Sequence, residues 1–227
     1  EAWIIDDFLP AEDAWAAYTH FYEGEGAWTK HEHLYCRAKE TRTHGVHSAV
    51  ESVLARLESS AIRHYLGGLS DLEGLHADPD RFGGGQHVIR RGGFLGIHAD
   101  FTHHPTTGQR RLLNLLLYLN PNWRKGDGGE LELWTKDMKT CAAHIEPLHN
   151  RAVLFRTSTT SFHGHPEPLV GEERRSLAVY YYWQEIPPGM KWYASQYPNV
   201  GPVDPPNSLR TTDYRPRPWE HKLRARR

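Results

Sequence analysis

Short β-rich runs separated by turn signals follow one another from Gln86 to residue 183, and this pattern constrains the fold more than any other feature. The runs cover residues 86–91, 94–101, 111–119, 129–134, 141–146, 151–156, 160–165 and 174–183. Glycine, proline and asparagine residues stand between them, as expected for turns. Short strands in this number, after a helical start, predict a mainly β (α+β) fold with a double-stranded β-helix core, that is, a cupin-like jelly roll.

Two segments that precede this core show helical periodicity and are expected to buttress it. Residues 11–23 carry apolar and aromatic side chains at helical spacing. Residues 46–66 repeat apolar side chains at the i, i+3, i+4 and i+7 spacing of one helix face, and Gly67 and Gly68 are expected to end that helix.

The length of 227 residues suits one large domain. We predict a single domain over 1–227 with three parts, namely a helical N-terminal support at 1–82, the jelly-roll core at 83–184 and an irregular tail at 185–227 that is rich in proline and arginine.

Charge and cysteine content argue against several classes of protein. The formal net charge is −1 and the sequence pI is about 7.1, whereas a nucleic-acid binder usually has a basic bias. No apolar run approaches the roughly 18 residues of a membrane span. Cys36 and Cys141 form no Cys-x-x-Cys pair, which argues against a zinc ribbon and fits a reduced protein. We therefore expect a cytoplasmic protein with no nucleic-acid or membrane partner, and the oligomeric state stays open.

The segment His98-Ala99-Asp100 carries the first chemical signal. Strand side chains alternate between the two faces, so residues two apart present an imidazole and a carboxylate on the same side. A histidine from a distant strand would complete a 2-His-1-carboxylate metal site, which suits non-haem Fe(II). His163 and His165 have the same strand parity. We favour His163, because His165 directly precedes Pro166, where the chain is expected to leave the sheet.

A second signal lies in the last predicted strand. Arg174 and Ser176 share one face, and together they suit a charge-assisted grip on a carboxylate. Arg175 lies on the opposite face, and either arginine has the alternative of being an ordinary solvent-facing charge. Tyr118, at the end of the strand 111–119, is a candidate second donor to the same carboxylate, with a buried core tyrosine as the alternative.

These motifs resemble the prolyl-4-hydroxylase-like branch of the Fe(II)/2-oxoglutarate-dependent dioxygenases. The resemblance covers about residues 83–184, and it rests on Phe94-Leu95-Gly96-Ile97-His98-Ala99-Asp100, Asn114-Leu115-Leu116-Leu117-Tyr118-Leu119-Asn120, Gly128-Gly129-Glu130-Leu131, Phe162-His163-Gly164-His165-Pro166 and Arg174-Arg175-Ser176-Leu177-Ala178-Val179-Tyr180-Tyr181-Tyr182. One departure from the family is that a tyrosine of its first core strand, which contacts 2-oxoglutarate, corresponds here to Val88.

The resemblance implies the site residues and the cofactors. His98, Asp100 and His163 match the iron ligands, and Arg174 matches the residue that pairs with the distal carboxylate of 2-oxoglutarate. Tyr118 and Ser176 match supporting residues of that contact. The cofactors implied are Fe(II), 2-oxoglutarate as co-substrate and O2.

The expected activity is hydroxylation of an unactivated C–H bond in a free amino acid or small-molecule intermediate, with 2-oxoglutarate and O2 converted to succinate and CO2. One alternative is a prolyl or peptidyl hydroxylase that acts on a peptide or protein. Another, from a different class, is a non-catalytic metal-binding protein of cupin type. The expected partner is accordingly a small-molecule or peptide substrate.

Overall fold

A computed structural model of the protein describes residues 1–183, so the predicted tail at 185–227 lies outside the described part of the chain. The helices are α1 Ala11–Thr19, α2 Ser48–Glu58 and α3 Ser60–Ser70. The strands are β1 Ala2–Ile5, β2 Thr29–His33, β3 Cys36–Arg42, β4 Leu75–Ala77, β5 Gly85–His98, β6 Arg111–Tyr118, β7 Leu131–Trp134, β8 Cys141–Ile145, β9 Arg151–Arg156, β10 His163–His165 and β11 Glu173–Trp183. No helix within 1–183 has both the length and the apolar character that crossing a membrane requires.

The strands form one curled antiparallel sheet, and this confirms the predicted jelly-roll core. Its main order is β1-β9-β6-β11-β5-β10-β7-β8, with β3 added beside β5 and β2 beside β3. The long strand β5 connects the two halves of the curl. Its first part pairs with β11, and its last part pairs with the short strand β10.

Alternation along β6 and β11 gives the larger half of the sheet two different faces. Every second residue of these strands packs against the helices in the main apolar core, which includes Leu113, Leu115, Leu117, Leu177 and Val179 together with Val50, Val53, Leu54, Leu57 and Leu66. The residues between them point into the curl of the sheet. That interior face carries polar and charged side chains as well as apolar ones, and it includes the candidate residues Arg174, Ser176 and Tyr118.

Two details of the N-terminal part differ from the sequence prediction. The single helix predicted at 46–66 is two helices, because the chain is extended at Ser59, whose hydroxyl accepts a hydrogen bond from the backbone N–H of Ile62 and so caps α3. Gly67 does not end this helix, which continues to Ser70. Residues 27–45, which have no clear sequence pattern, supply the hairpin β2–β3 and thereby extend the sheet beside β5.

The predicted strands 86–91 and 94–101 are one strand with an irregularity in its middle. Gly92 has a φ of 76°, which favours glycine. A Cβ atom on Gly93 would lie 2.7 Å from the carbonyl oxygen of Arg37 and 2.7 Å from Cγ2 of Ile89. The glycine pair therefore lets β5 bend closely past β3 and continue into the second half of the curl.

Leu115 provides a test of the helix-facing core. It is fully buried and lies opposite Val179 on β11 and Leu154 on β9. We expect Leu115→Ala to lower the free energy of unfolding by about 3 kcal/mol, because it leaves a cavity between two layers. Ile4→Ala, at a side chain that is 51% exposed, is the control and should cost about 0.5 kcal/mol or less. Equal losses in urea denaturation would contradict this packing.

Candidate active site

Three side chains able to bind a metal ion meet where two strands pair. His98 ends β5, Asp100 follows two residues later, and His163 begins β10 directly opposite His98. Nε2 of His98 lies 3.4 Å from Oδ1 of Asp100, and Nε2 of His163 lies 3.4 Å from Oδ2 of the same carboxylate. One ligand atom from each residue lies within 4.8 Å of the others. The set can thus hold one metal ion as a 2-His-1-carboxylate group.

Backbone contacts orient both imidazoles toward this common point. Nδ1 of His98 lies 2.9 Å from the carbonyl oxygen of Gly96, and Nδ1 of His163 lies 2.9 Å from that of Ser161. Since a carbonyl oxygen only accepts, each Nδ1 carries the proton and each Nε2 keeps its lone pair. Burial lowers the pKa of His163 to about 4, although Asp100 opposes the shift. A neutral imidazole is the form that binds a metal.

Asp100 is held as a carboxylate by two polar side chains of β6. Arg111 Nη2 donates to its Oδ2 at 3.0 Å, and Asn114 Nδ2 donates to the same oxygen at 2.5 Å. Burial by itself raises the pKa of Asp100, but the charge of Arg111, with further contributions from the nearby His163 and His98, outweighs it and holds the pKa well below its usual range. The carboxylate is therefore ionised and fixed in orientation before any metal binds.

Sequence analysis did not identify Arg111 and Asn114 as parts of the site. Arg111 is 1% exposed and Asn114 is 2% exposed, and a buried polar residue is usually hydrogen-bonded to something specific. The available signal was Asn114, an amide in the middle of a leucine-rich strand and on the same face as Tyr118. The partner, Asp100, follows a different strand and is not evident from local sequence.

His165, the alternative third ligand, lies apart from this group. It lies two residues further along β10 and pairs with Leu95, after a shift in register. Gly164 lets β10 approach β5 closely, because a Cβ atom there would lie 2.8 Å from the carbonyl oxygen of Gly96. The structure therefore brings His163, and not His165, next to Asp100.

Arg174 lies inside the curl, whereas Arg175 faces the helices. Arg174 is 6% exposed; its Nε donates to the carbonyl oxygen of Gly129 at 2.8 Å, and its Nη2 donates to the Tyr118 hydroxyl at 2.8 Å. A Cβ atom on Gly129 would lie 2.9 Å from Cδ of Arg174, so this glycine makes room for the arginine. Arg175 instead donates to the carbonyl oxygen of Tyr18 at 3.1 Å.

Ser176 lies on the same interior face as Arg174. It is 1% exposed and lies opposite Tyr118 on β6 and His87 on β5. Among residues 1–183, it forms no hydrogen bond to Arg174. Val88, which corresponds to a family tyrosine that contacts 2-oxoglutarate, faces the helices as part of the apolar core. His87, not Val88, supplies the interior side chain at this level of β5.

Fold and site together define a jelly-roll protein with a 2-His-1-carboxylate group of the kind used by non-haem iron oxygenases. A family model described as the 2OG-Fe(II) oxygenase superfamily matches residues 84–182, the segment that contains His98, Asp100 and His163. Over this segment the chain is similar to that superfamily. It is an Fe(II)- and 2-oxoglutarate-dependent oxygenase, and its cofactors are Fe(II), 2-oxoglutarate and O2.

Solved structures of similar fold include two prolyl hydroxylases and a protein solved with a small-molecule ligand. A prolyl-4-hydroxylase from Pseudomonas putida is 21% identical with a TM-score of 0.58, and the match covers 81% of this chain and 92% of that one. A Trichoplax adhaerens prolyl hydroxylase, solved with a hypoxia inducible factor peptide, is 19% identical with a TM-score of 0.51 and coverages of 80% and 83%. HygX from Streptomyces hygroscopicus, solved with nickel, 2-oxoglutarate and hygromycin B, is 9% identical with a TM-score of 0.55 and coverages of 81% and 83%.

These likenesses show a shared fold. No curated protein sequence matches the chain significantly.

His87 provides a pH-dependent test of the buried interior. Burial lowers the pKa of His87 well below 6.5, and repulsion from Lys39 adds to this effect. As the pH falls below about 6.5, the unfolded chain binds a proton at this residue before the folded protein does. Folding stability should therefore decrease by up to about 1.4 kcal/mol per pH unit because of this one group.

We expect His87→Asn to flatten the plot of unfolding free energy against pH between about pH 6 and 5 by that amount. His64→Asn, which removes an exposed imidazole of α3, is the matched control. A His87→Asn protein that retains the slope of the wild type would show that His87 is not held neutral.

Proposed function

We propose that His98, Asp100 and His163 hold Fe(II), and that Arg174 binds the distal carboxylate of 2-oxoglutarate with Tyr118 and Ser176 beside it. The observation that carries this proposal is that the three grouped ligands and a buried guanidinium share one interior face of the same sheet. When bound, the iron with 2-oxoglutarate and O2 supplies the oxidation of a C–H bond to C–OH, with succinate and CO2 as co-products.

The protein's own contribution at the metal is orientation. Backbone carbonyls fix the tautomers of both histidines, so that each presents Nε2. Arg111 and Asn114 occupy Oδ2 of Asp100 and leave Oδ1 for a metal ion. Outer-shell contacts of this kind commonly change metal affinity by about 10- to 100-fold.

Arg174 is prepared for a carboxylate by the hydrogen bonds it already makes. Nε is occupied by Gly129 and one Nη2 proton by Tyr118, so Nη1 keeps its protons for a ligand. Because the Tyr118 hydroxyl accepts from Arg174, its own proton is available for the same carboxylate. Burial raises the pKa of Tyr118, which keeps the hydroxyl protonated despite the opposing charge of Arg174. Two donors therefore converge on one position.

For the substrate, we propose a free amino acid or another small molecule. The structure of HygX with hygromycin B shows that this fold accommodates a small-molecule ligand. A peptide substrate is the alternative, supported by the prolyl hydroxylase solved with a peptide. The match to an oxygenase superfamily favours an enzyme over a non-catalytic metal-binding protein. Succinate formation with panels of amino acids and peptides distinguishes the two substrate classes.

Removal of the carboxylate ligand tests the metal site. We expect Asp100→Ala to abolish retention of Fe(II) after anaerobic gel filtration, and with it all formation of succinate, because two neutral histidines remain as ligands. Asp137→Ala is the control, since Asp137 is an exposed aspartate of the β7–β8 turn. Full iron content in Asp100→Ala would refute the ligand assignment.

Arg174 and Arg175 form a natural matched pair for testing the co-substrate site. The measurement is the weak visible charge-transfer band that develops when 2-oxoglutarate is added anaerobically to the Fe(II) protein. We expect Arg174→Met to weaken 2-oxoglutarate binding roughly 30-fold, equivalent to a charged hydrogen bond of about 2 kcal/mol. Arg175→Met should bind like the wild type, because Arg175 faces α1. Equal effects of both substitutions would place the co-substrate elsewhere.

A further inference from the structure

Lys39 is a third cationic side chain on the interior face, beside Arg111 and Arg174, and the mechanism above does not use it. In β3, Lys39 lies opposite Ile89 of β5, and Ile89 lies opposite Arg174 of β11. Residues directly opposite in antiparallel strands project from the same face of a sheet. Lys39, Ile89 and Arg174 thus form a row across three strands, with both cations directed into the curl. The adjacent row, Glu40, Val88 and Arg175, projects to the other side.

The backbone next to Lys39 is irregular in a way that sets this orientation. Ala38 has a φ of 50°, a left-handed conformation that is unusual for alanine. The pairing of β3 with β5 shifts at the same place, from Arg37 opposite Phe94 to Lys39 opposite Ile89. Bulges of this type redirect side chains and are common beside active sites. Such strain persists where the surrounding structure maintains it, and it is found preferentially at functional sites.

The Lys39 ammonium has no counter-ion within the part of the chain that the structure describes. Among residues 1–183, Lys39 forms no hydrogen bond through its side chain and no ion pair. Burial lowers its pKa, while Cys36 and Asp100 oppose the shift and the like charges of Arg174 and Arg111 add to it. Asp100 is already bound by Arg111. An ammonium among other cations in a partly buried site is unfavourable unless an anion joins it.

His165 gives an independent indication of a ligand at this place. It is 3% exposed, and neither ring nitrogen has a hydrogen-bond partner among the described residues. His165 lies opposite Leu95 of β5, and Leu95 lies opposite Cys36 of β3, three residues before Lys39. A buried imidazole without partners among the described residues, on a strand row close to Lys39, is a polar group that a bound ligand can satisfy.

We propose that Lys39 binds a carboxylate of the primary substrate, so that the enzyme selects substrates with a free carboxylate, as in an α-amino acid. This inference rests on the proposed function, because that function already assigns both carboxylates of 2-oxoglutarate to other partners. Arg174 and Tyr118 match the distal carboxylate of 2-oxoglutarate, and the metal takes its 2-oxo acid end. Lys39 is then the cation left for a third carboxylate, on the far side of Ile89 from Arg174.

The test uses protein loaded with Mn(II) and saturated with 2-oxoglutarate, in which no turnover occurs. Each proteinogenic amino acid and its carboxamide are titrated by calorimetry against the wild type, Lys39→Met and Lys39→Gln. We expect the wild type to bind at least one free acid about tenfold more tightly than its amide, as loss of one charged contact implies. Both Lys39 variants should lose this preference. Lys30→Met, at an exposed lysine of the neighbouring strand β2, should retain it.

Binding of 2-oxoglutarate to the same Mn(II) proteins distinguishes failure of the Lys39 assignment from failure of the proposed function. We expect its affinity in both Lys39 variants to stay within about threefold of the wild type, because Arg174 is intact. A wild type that prefers no acid over its amide, or a Lys39 variant that keeps the preference, would overturn the inference. A Lys39 variant with tenfold weaker 2-oxoglutarate binding and an unchanged preference would assign Lys39 to the co-substrate. Absence of 2-oxoglutarate binding to the wild type would refute the proposed function itself.

Discussion

The buried charge of Asp100 is the constraint on which the interior of this protein depends. An ionised carboxylate away from water is costly unless it is paired and hydrogen-bonded. Here Arg111 supplies the charge and Asn114 a second donor. Arg111 must itself be held, and its guanidinium stacks 3.4 Å from the ring centroid of Tyr180. Nη1 of Arg111 has no hydrogen-bond partner among the described residues, and the contacts of its other nitrogens and of its planar face join β6 to β11 around Asp100.

The same strands carry both the apolar core and the site, and this couples stability to function. Leu115 packs toward the helices, while its neighbour Asn114 contacts Asp100 from the other face. A slip of one residue in the register of β6 would exchange these faces and destroy both. Packing of the helix-facing core therefore keeps the polar face of β6 in register. Site residues on paired strands are also positioned more rigidly than residues on loops.

Sequence patterns predicted the features that local periodicity or motif spacing determines. The jelly-roll core follows from the short strand signals, and the pairing of His98 with Asp100 follows from their spacing of two residues. Strand parity leaves His163 and His165 equal, and His163 is preferred because Pro166 follows His165. The hairpin β2–β3 escaped detection because strands are recognised by an apolar face. Residues of β3 such as Lys39 and Thr41 face a polar interior, so that pattern is missing. The break at Ser59 was also hidden, since the apolar spacing continues through both helices.

The interior is thus organised for anions, with each cation given a different task. Arg111 neutralises Asp100, and Arg174 is held by Gly129 and Tyr118. Lys39 remains unpaired among residues 1–183. Neighbouring strands lie about 4.8 Å apart, so two strand spacings separate the backbones of Lys39 and Arg174 by roughly 10 Å.

That separation has a consequence for selectivity. Two carboxylates can be bound on one face without competing for the same cation, and the apolar side chain of Ile89 stands between them. A molecule anchored at Lys39 would then present a C–H bond at a fixed distance from its own carboxylate. Free amino acids satisfy this geometry through the α-carboxylate they all share. A peptide does so only where an acidic side chain or its C-terminus occupies the right position, and this is why the two substrate classes predict different responses to the loss of one lysine.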